Sequence, residues 1–436
     1  MADSMAKKYR VGIIGFASMY VNQMAALYAR HPQVEMVACA DTVPLNPELR
    51  AAPYTRQWNM KHALTNLGVK KAYEDYHLML AQEHPDIVLV ASENAQHPEV
   101  VEACAAHRAH VCVERPMAAS YAGALRMVRA CRAAGTTMLV NWPLTWSPGA
   151  RKIKSLINLG EIGRLLQVKW HAGHTGPLSA SASLNGANYE TPPSNIPAFL
   201  SGPTVSGGSA VLSNPARSGS RSPLSNLSVR GEVTMTGDST ALIDRATLGE
   251  RIVLSDIERG ATWWYQSAAG GGAMLDFCGH GAMLSLWYVG EPATAAFGMR
   301  ANLDSAFGDV DDNGTILVRF PNAMSILEGS WTTVDDGIPS GPTVRGTTGT
   351  LVLDSFDRVR LERGRGQTVI YRTEPLPAGR ENVAGEMIHH LETHEPLHQT
   401  LDMSFNAEAM AILDAGIRAA ASGKLEPVSS PVWQAG

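Results

Sequence analysis

The chain has 436 residues, of which 45% are hydrophobic and 18% charged, and its formal net charge is −5 at pH 7. A single hydrophobic core rarely extends over this length, so two domains are expected. The acidic balance argues against a nucleic-acid-binding protein. The sequence also has no run of about 18 apolar residues, so no membrane partner or membrane span is predicted.

The cysteines are few and scattered. There are five of them and they form no C-x-x-C pair, so the sequence predicts neither a metal site nor a disulfide framework. Residues 1–10 are polar and lack the apolar segment of a signal peptide. We therefore expect reduced thiols, no bound metal and a cytoplasmic location.

Short apolar runs alternate with amphipathic segments over the first 140 residues. Nearly continuous apolar runs are typical of parallel strands that are buried on both faces. The predicted strands are residues 9–15, 34–40, 86–91, 109–113 and 137–140, and the predicted helices are residues 18–30, 98–107 and 120–133. Repeated β–α units predict an α/β fold, with a Rossmann-type, doubly wound parallel sheet over residues 1–145.

The pattern changes after Trp146. Predicted helices at 148–159, 380–392 and 406–421 surround a strand at 165–172 and alternating runs at 315–320, 324–332 and 349–353. Alternation of apolar and polar residues is typical of an antiparallel sheet with one covered face. We expect residues 146–436 to form an α+β domain on a largely antiparallel sheet, which binds the substrate and forms the oligomer interface.

A Ser/Pro/Gly-rich stretch interrupts this second domain. Residues 179–228 contain 13 Ser, 6 Pro and 5 Gly but only three charges. Such a composition buries too little apolar surface to offset the entropy of ordering the chain. We expect an irregular insertion at about 179–255. It is either a lid or interface element or an idle insertion, and the composition favours the idle one.

The first predicted strand leads into a turn that resembles a dinucleotide-binding motif. A G-x-G-x-x-G turn lets a diphosphate approach the backbone and the N–H groups of a helix start. Here the three glycine positions hold Gly15, Ala17 and Tyr20, so only the first is kept. Ser18 and Met19 complete the predicted diphosphate turn. The alternative is an ordinary strand–helix turn, in which Tyr20 fills the cradle.

An acidic residue follows the second predicted strand. Asp41 lies where a carboxylate would accept hydrogen bonds from the ribose hydroxyls of a dinucleotide. It would repel a 2′-phosphate, and no arginine follows at once to attract one. The prediction is therefore NAD, with NADP less favoured, and the alternative is a solvated turn residue.

Four later segments follow one order of motifs. Residues 92–97 (S-E-N-A-Q-H) parallel T-P-N-x-x-H, residues 114–116 (E-R-P) parallel E-K-P, residues 160–163 match G-E-I-G, and residues 270–280 match a glycine-rich D-x-x-x-H helix. With these motifs the chain resembles the Gfo/Idh/MocA oxidoreductases, which include relatives of glucose–fructose oxidoreductase and inositol dehydrogenase.

The resemblance runs over residues 9–173 and 268–425, and it implies roles for several side chains. Asn94, Glu114 and Asn141 would line the nicotinamide end of the cofactor site, with His97 in the same loop. It also implies a homodimer or homotetramer, built through the sheet of the second domain.

Three residues are expected to carry the chemistry. Asp276 and His280 are four residues apart and would share one face of a helix. His280 would exchange the proton of a substrate hydroxyl, while Asp276 would bind a second hydroxyl or steady the ring. Arg115 replaces the lysine of the family motif and cannot readily release a proton, so it would position the oxygen by charge. The alternative for the Asp276–His280 pair is a structural role.

Four further residues are candidates for substrate binding. Trp263 and Trp264 could stack on a sugar face, and the alternative is packing at a sheet edge or subunit contact. His171 and His174 flank a strand end, where they could reach substrate hydroxyls or serve as structural histidines.

Together these features predict an NAD-dependent oxidoreductase that moves a hydride between nicotinamide and a hydroxyl-bearing carbon of a small sugar or cyclitol. Two alternatives stay open. One is an NAD-retaining enzyme that cleaves glycosides by oxidation and elimination, and the other is a ligand-sensing regulator without catalysis. The prediction depends on a diphosphate resting over the turn at Gly15 and on a reactive ring beside His280.

Overall fold

The computed structural model describes residues 8–179, 254–333, 340–364 and 366–428. Apart from its first residue and its last two, the insertion predicted at about 179–255 lies outside the described residues. No helix in the described ranges is long and apolar enough to cross a membrane.

The amino-terminal part is a parallel sheet of six strands in the order β3-β2-β1-β4-β5-β6. Its strands are β1 (Tyr9–Ile14), β2 (Val34–Ala40), β3 (Lys71–Tyr73), β4 (Ile87–Val90), β5 (His110–Glu114) and β6 (Met138–Asn141). The helices between them are α1 (Val21–Ala29), α2 (Arg56–Asn66), α3 (Tyr76–Glu83), α4 (His97–Ala106) and α5 (Tyr121–Ala134). This is the predicted Rossmann topology, in which the strand order reverses between β1 and β4.

The second sheet has nine strands in the order β14-β13-β12-β11-β7-β10-β9-β8-β15. Its strands are β7 (Leu165–Gly173), β8 (Ala295–Ala301), β9 (Asn313–Arg319), β10 (Met324–Ser330), β11 (Gly341–Gly346), β12 (Thr350–Ser355), β13 (Arg358–Glu362), β14 (Thr368–Arg372) and β15 (Glu426–Pro427). Only the β7–β10 pair is parallel. The prediction of a largely antiparallel sheet is therefore confirmed.

The remaining helices are α6 (Pro148–Asn158), α7 (Asp256–Gly260), α8 (Ala273–Val289), α9 (Val383–Thr393) and α10 (Met403–Ser422). Helix α8 is buried along nearly its whole length, because it lies between the second sheet and α10. The indole of Trp170 on β7 donates a 2.8 Å hydrogen bond to the carbonyl of Phe277 on α8. The contact of Asp276 on α8 with Arg115, which follows β5, places this helix beside the first sheet.

Several elements were not predicted from the sequence. Helix α2 is polar, with the sequence R-Q-W-N-M-K-H-A-L-T-N, and has no clear apolar stripe. Strand β3 has three residues, too few to show alternation. A short 3₁₀ turn, Pro143–Trp146, connects β6 to α6. The domain boundary near residue 145 falls within this turn and stays a prediction.

Gly15 offers a test of how closely β1 and β4 approach. Its φ is +87°, and a Cβ there would overlap the backbone nitrogen of Ser92. Gly68 has a similar φ of +71° but nothing within 4 Å. We expect Gly68→Ala to lower the free energy of unfolding by about 1 kcal/mol through backbone strain. Gly15→Ala should cost about 1–3 kcal/mol more through overlap. Equal losses in urea unfolding would contradict this account.

Candidate active site

The candidate residues of the first sheet lie at the carboxyl ends of β1, β4, β5 and β6. Parallel strands bring these ends to one edge of a sheet, and the reversal of strand order opens a crevice there. The Gly15 turn, the loop at residues 92–97, the segment at 114–116 and Asn141 are thereby grouped at one edge.

The turn after β1 is suited to bind a diphosphate. Helix α1 begins at Val21 and has no side-chain cap, so N–H groups of its first turn are available to an anion. The N–H of Ser18 donates to the carbonyl of Ala91 at 3.1 Å, and the hydroxyl of Ser18 accepts from the N–H of Tyr20 at 3.2 Å. These bonds hold the turn in shape. Met19 is half-buried and packs on the core beside it.

Tyr20 is directed toward the end of β5. The guanidinium of Arg115 lies 5.7 Å from the centre of the Tyr20 ring. Burial raises the pKa of the Tyr20 phenol to about 12, although the neighbouring arginine opposes that shift. The tyrosine at the third glycine position therefore contacts the candidate catalytic arginine.

Asp41 occupies the predicted ribose position, and the structure adds an arginine to it. The backbone N–H groups of Phe16 and Thr42 donate to Oδ1 of Asp41 at 3.0 and 2.9 Å. Arg56, at the start of α2, donates to the same oxygen and also to Glu93. The sequence analysis did not identify Arg56 or Glu93 as residues of this pocket. The available signal for Glu93 was an acidic residue at the position where the family motif has proline.

Asn94 and His97 hold loops together in this structure. The amide of Asn94 donates to the carbonyl of Gly270 at 2.8 Å. The two ring nitrogens of His97 each lie 3.2 Å from a backbone carbonyl oxygen, one of Met117 and the other of Ser92. Burial lowers the pKa of His97 to about 4. Both side chains tie this loop to neighbouring backbone, and their place at the nicotinamide end of a cofactor stays a prediction.

Two buried polar atoms at the end of β5 have no hydrogen-bond partner among the described residues. They are Oε2 of Glu114 and Nε of Arg115. Burial raises the pKa of Glu114 to about 7, while Arg115 and an Asn141 hydrogen bond oppose the shift. Orphaned polar atoms at such a site are typical of groups that a ligand satisfies.

Arg115 and Asp276 form a buried ion pair between β5 and α8. One nitrogen of the guanidinium, Nη1, bonds Oδ1 of Asp276 and also its backbone carbonyl, the latter at 3.2 Å. The other carboxylate oxygen accepts a 3.1 Å hydrogen bond from the indole of Trp331. Both oxygens of Asp276 are therefore engaged within the protein.

His280 lies one turn further along α8, fully buried between two indoles. Its ring stacks on Trp170 at 5.6 Å and meets the edge of Trp142 at 5.0 Å. Burial, reinforced by the charge of Arg115, holds the pKa of His280 well below its ordinary value of 6.5. Only the neutral imidazole can accept a proton, so His280 is in the form that a general base requires, although the lowered pKa makes it a weaker base. Among the described neighbouring groups, Glu114 has a pKa near neutrality, at about 7, and the proton-exchanging role of His280 stays a prediction.

The structure separates the four candidates for substrate binding. The ring of His174 lies edge-on to Phe277 of α8 at 5.0 Å, and its Nδ1 accepts the N–H of Gly176 at 2.8 Å. His171 lies on the opposite sheet face from Trp170 and contacts Glu328 at 3.3 Å. It is therefore not brought to the Asp276–His280 pair.

The two tryptophans lie on the cofactor side. Trp263 and Trp264 stack with their rings 4.0 Å apart, and both are buried. The indole of Trp263 donates a 2.7 Å hydrogen bond to the carbonyl of Ala17 in the diphosphate turn. Their predicted stacking on a sugar ring remains a prediction.

The residues at this edge fit a dinucleotide. The uncapped helix start suits a diphosphate, Asp41 suits a ribose, and the orphaned atoms of Glu114 and Arg115 suit a polar ring at the far end. Within the described ranges, no group of three or more His, Cys, Asp or Glu residues is arranged to hold a metal ion.

The raised pKa of Glu114 predicts a pH-dependent stability. Its ordinary value is 4.5 and its value here is about 7. The folded protein therefore holds this proton more tightly, and the associated stability is present below pH 4.5 and is lost as pH rises through 7. Glu114→Gln should raise the free energy of unfolding by up to about 3 kcal/mol at pH 8 and change it little at pH 4.5.

Urea unfolding at several pH values measures this effect. Glu74→Gln, at an exposed position beyond β3, is the matched control and should give no pH-dependent gain. A gain for Glu114→Gln of the same size at both pH values would contradict the assigned pKa.

Comparison with known proteins identifies the family. Residues 9–142 match the family model described as the GFO/IDH/MocA oxidoreductase family with an NAD-binding Rossmann fold, and residues 249–352 match the C-terminal domain model of that family. The chain is 30% identical over 116 residues to myo-inositol 2-dehydrogenase of Thermotoga maritima, covering 27% of this chain and 35% of that protein.

A second relative is D-xylose 1-dehydrogenase [NADP(+)] of Haloarcula marismortui, 32% identical over 119 residues, which are 27% of this chain and 31% of that protein. The chain thus spans about a third of the length of these curated relatives. The WlbA dehydrogenase of Bordetella pertussis, solved with NADH and UDP-GlcNAcA, shares the fold with a TM-score of 0.65 and 18% identity, over 97% of this chain and 99% of that one. Two family models in the expected order, on a Rossmann sheet followed by a mostly antiparallel sheet, establish that this chain belongs to the GFO/IDH/MocA oxidoreductase family, whose amino-terminal domain binds NAD.

Proposed function

We propose that the chain is an NAD-dependent dehydrogenase that oxidises a secondary or anomeric hydroxyl of a sugar or cyclitol to a carbonyl. The observation that carries this proposal is the grouping of Arg115, Asp276 and neutral His280 next to the dinucleotide edge. The named relatives that act on inositol and xylose support the substrate class.

Each of the three residues has a distinct part in the proposed reaction. Bound NAD supplies the hydride acceptor. His280 takes the hydroxyl proton as a general base, and its neutral form is favoured by burial. Arg115 stabilises negative charge on the reacting oxygen, because its guanidinium keeps its proton at all working pH values. Asp276 orients Arg115 by the buried ion pair, and the indole of Trp331 fixes the carboxylate.

Replacing His280 tests the proposed base. His280→Gln should lower kcat/KM by about 10²- to 10⁴-fold, because the proposed acceptor of the hydroxyl proton is lost. The dissociation constant for NAD, measured calorimetrically, should stay within about threefold. His389→Gln, on α9 beside Glu395, is the matched control and should leave turnover unchanged. Full activity in the His280 variant would refute the assignment.

The reaction type is tested by mass spectrometry of nucleotide released from the purified protein, followed by a polyol screen for reduced nicotinamide absorbance. Net reduction of NAD by a polyol supports a dehydrogenase. Retained NAD with glycoside cleavage and no net redox change would indicate oxidation and elimination instead. Ligand binding without turnover, also after Arg115→Lys, would indicate a regulator.

We also propose that the protein is a cytoplasmic homo-oligomer. Its five cysteines are all buried and unpaired, which fits a reducing compartment. On the uncovered face of the second sheet, Phe297, Leu317 and Ile326 lie side by side across three strands. A second copy of the chain would bury this apolar row, as is usual for two-fold dimers.

Leu317→Glu tests the proposed interface. Leu317 is 41% exposed, so a charge is tolerated in the monomer but would be buried without a partner in the oligomer. We expect the sedimentation coefficient to fall to that of a monomer. Ile257→Glu, at a 75% exposed position on α7, is the control and should leave the assembly intact. An unchanged oligomer in the Leu317 variant would exclude this face.

A further inference from the structure

We propose that Arg56 is a latent ligand for the 2′-phosphate of NADP: carboxylates hold it in the ribose pocket, and it would bind a 2′-phosphate if one of them were removed. The inference rests on the proposed function, since it concerns the same cofactor edge. It gives a role in cofactor selection to a residue of α2, a helix that lies outside the cofactor motifs described above.

The two carboxylate oxygens of Asp41 have different surroundings. Oδ1 accepts three hydrogen bonds, from the backbones of Phe16 and Thr42 and from Nη1 of Arg56. Among the described residues, no hydrogen bond reaches Oδ2. The side chain is 21% exposed. The protein thus fixes one oxygen and leaves the other to accept the ribose hydroxyls of an unphosphorylated dinucleotide.

Arg56 lies among negatively charged side chains. The guanidinium of Arg56 bonds Asp41 through Nη1 and Glu93 through Nη2, and its side chain is 10% exposed. Its backbone N–H also donates to the carboxylate of Glu48, at 2.9 and 3.1 Å to the two oxygens. Two carboxylates therefore bind the guanidinium, and a third binds the backbone of the same residue. The excess negative charge repels a 2′-phosphate, so the arginine gives no affinity for NADP in this arrangement.

Without these carboxylate partners, Arg56 would be able to bind a phosphate. Nη1 lies 3.3 Å from the hydroxyl of Thr42, which itself donates to Glu93 at 3.4 Å. Removing the Asp41 carboxylate would leave a partly buried guanidinium next to a hydroxyl at the ribose position. Arginine binds phosphate with two parallel hydrogen bonds, so this site would then favour NADP.

Isothermal titration of NAD⁺ and of NADP⁺ into the full chain, without substrate, tests the proposal. The wild type should bind NAD⁺ about 100-fold more tightly than NADP⁺. Asp41→Ser should strengthen NADP⁺ binding at least tenfold and weaken NAD⁺ binding. The double variant Asp41→Ser, Arg56→Met should lose that gain. Arg50→Met removes an arginine from the same loop, one that pairs with Glu258, and should change neither affinity.

Glu93→Gln provides a second test by the same titration and keeps Arg56 and Asp41 in place. Loss of one carboxylate should strengthen NADP⁺ binding several-fold, and thermal unfolding would show that the variant is folded. If the double variant does not fold, this variant decides alone, and an unchanged NADP⁺ affinity overturns the proposal.

Two further results would also overturn it: equal NADP⁺ affinities of Asp41→Ser with and without Arg56, or a wild type that binds NADP⁺ as tightly as NAD⁺. A wild type that binds neither nucleotide would instead overturn the proposed function, so the two failures are distinguishable.

Discussion

The buried ion pair between Arg115 and Asp276 is the constraint on which the rest of the site depends. It joins the carboxyl end of β5 to α8, and therefore fixes the second sheet's central helix against the dinucleotide edge. Neither charge is solvated, so loss of one partner would leave the other uncompensated, at a cost of about 3–5 kcal/mol. Backbone and amide bonds from the Asn94 loop to Gly270 and Ala269 hold the same junction.

That ion pair also sets the electrostatics of the proposed chemistry. A fixed cation beside His280 adds to burial in keeping the imidazole in its neutral form, which is the form that a general base requires. The carboxyl of Glu114, the residue before Arg115, has a pKa of about 7. In the proposed mechanism a neighbouring group exchanges the proton, since the guanidinium that replaces the family lysine does not titrate.

Family resemblance and structure agree on the architecture, and the structure adds the contacts that each side chain makes within the protein. Asn94 and His97 bond the backbone of adjacent loops, and His171 lies on the uncovered sheet face. The sequence places such residues near a strand end but does not show which way each side chain points. Because successive residues of a strand face opposite sides, one position separates the buried Trp170 from His171.

The sequence by itself determined the two sheets, the turn after β1 and the spacing of Asp276 and His280. Those features follow from apolar periodicity and from local motifs, which act over a few residues. Only the tertiary structure decided that Arg56 contacts Asp41, that Tyr20 contacts Arg115 and that Asp276 is fully engaged. These partners are separated by 15 to 161 residues along the chain. They meet because parallel strands end at one edge, an arrangement that no local pattern encodes.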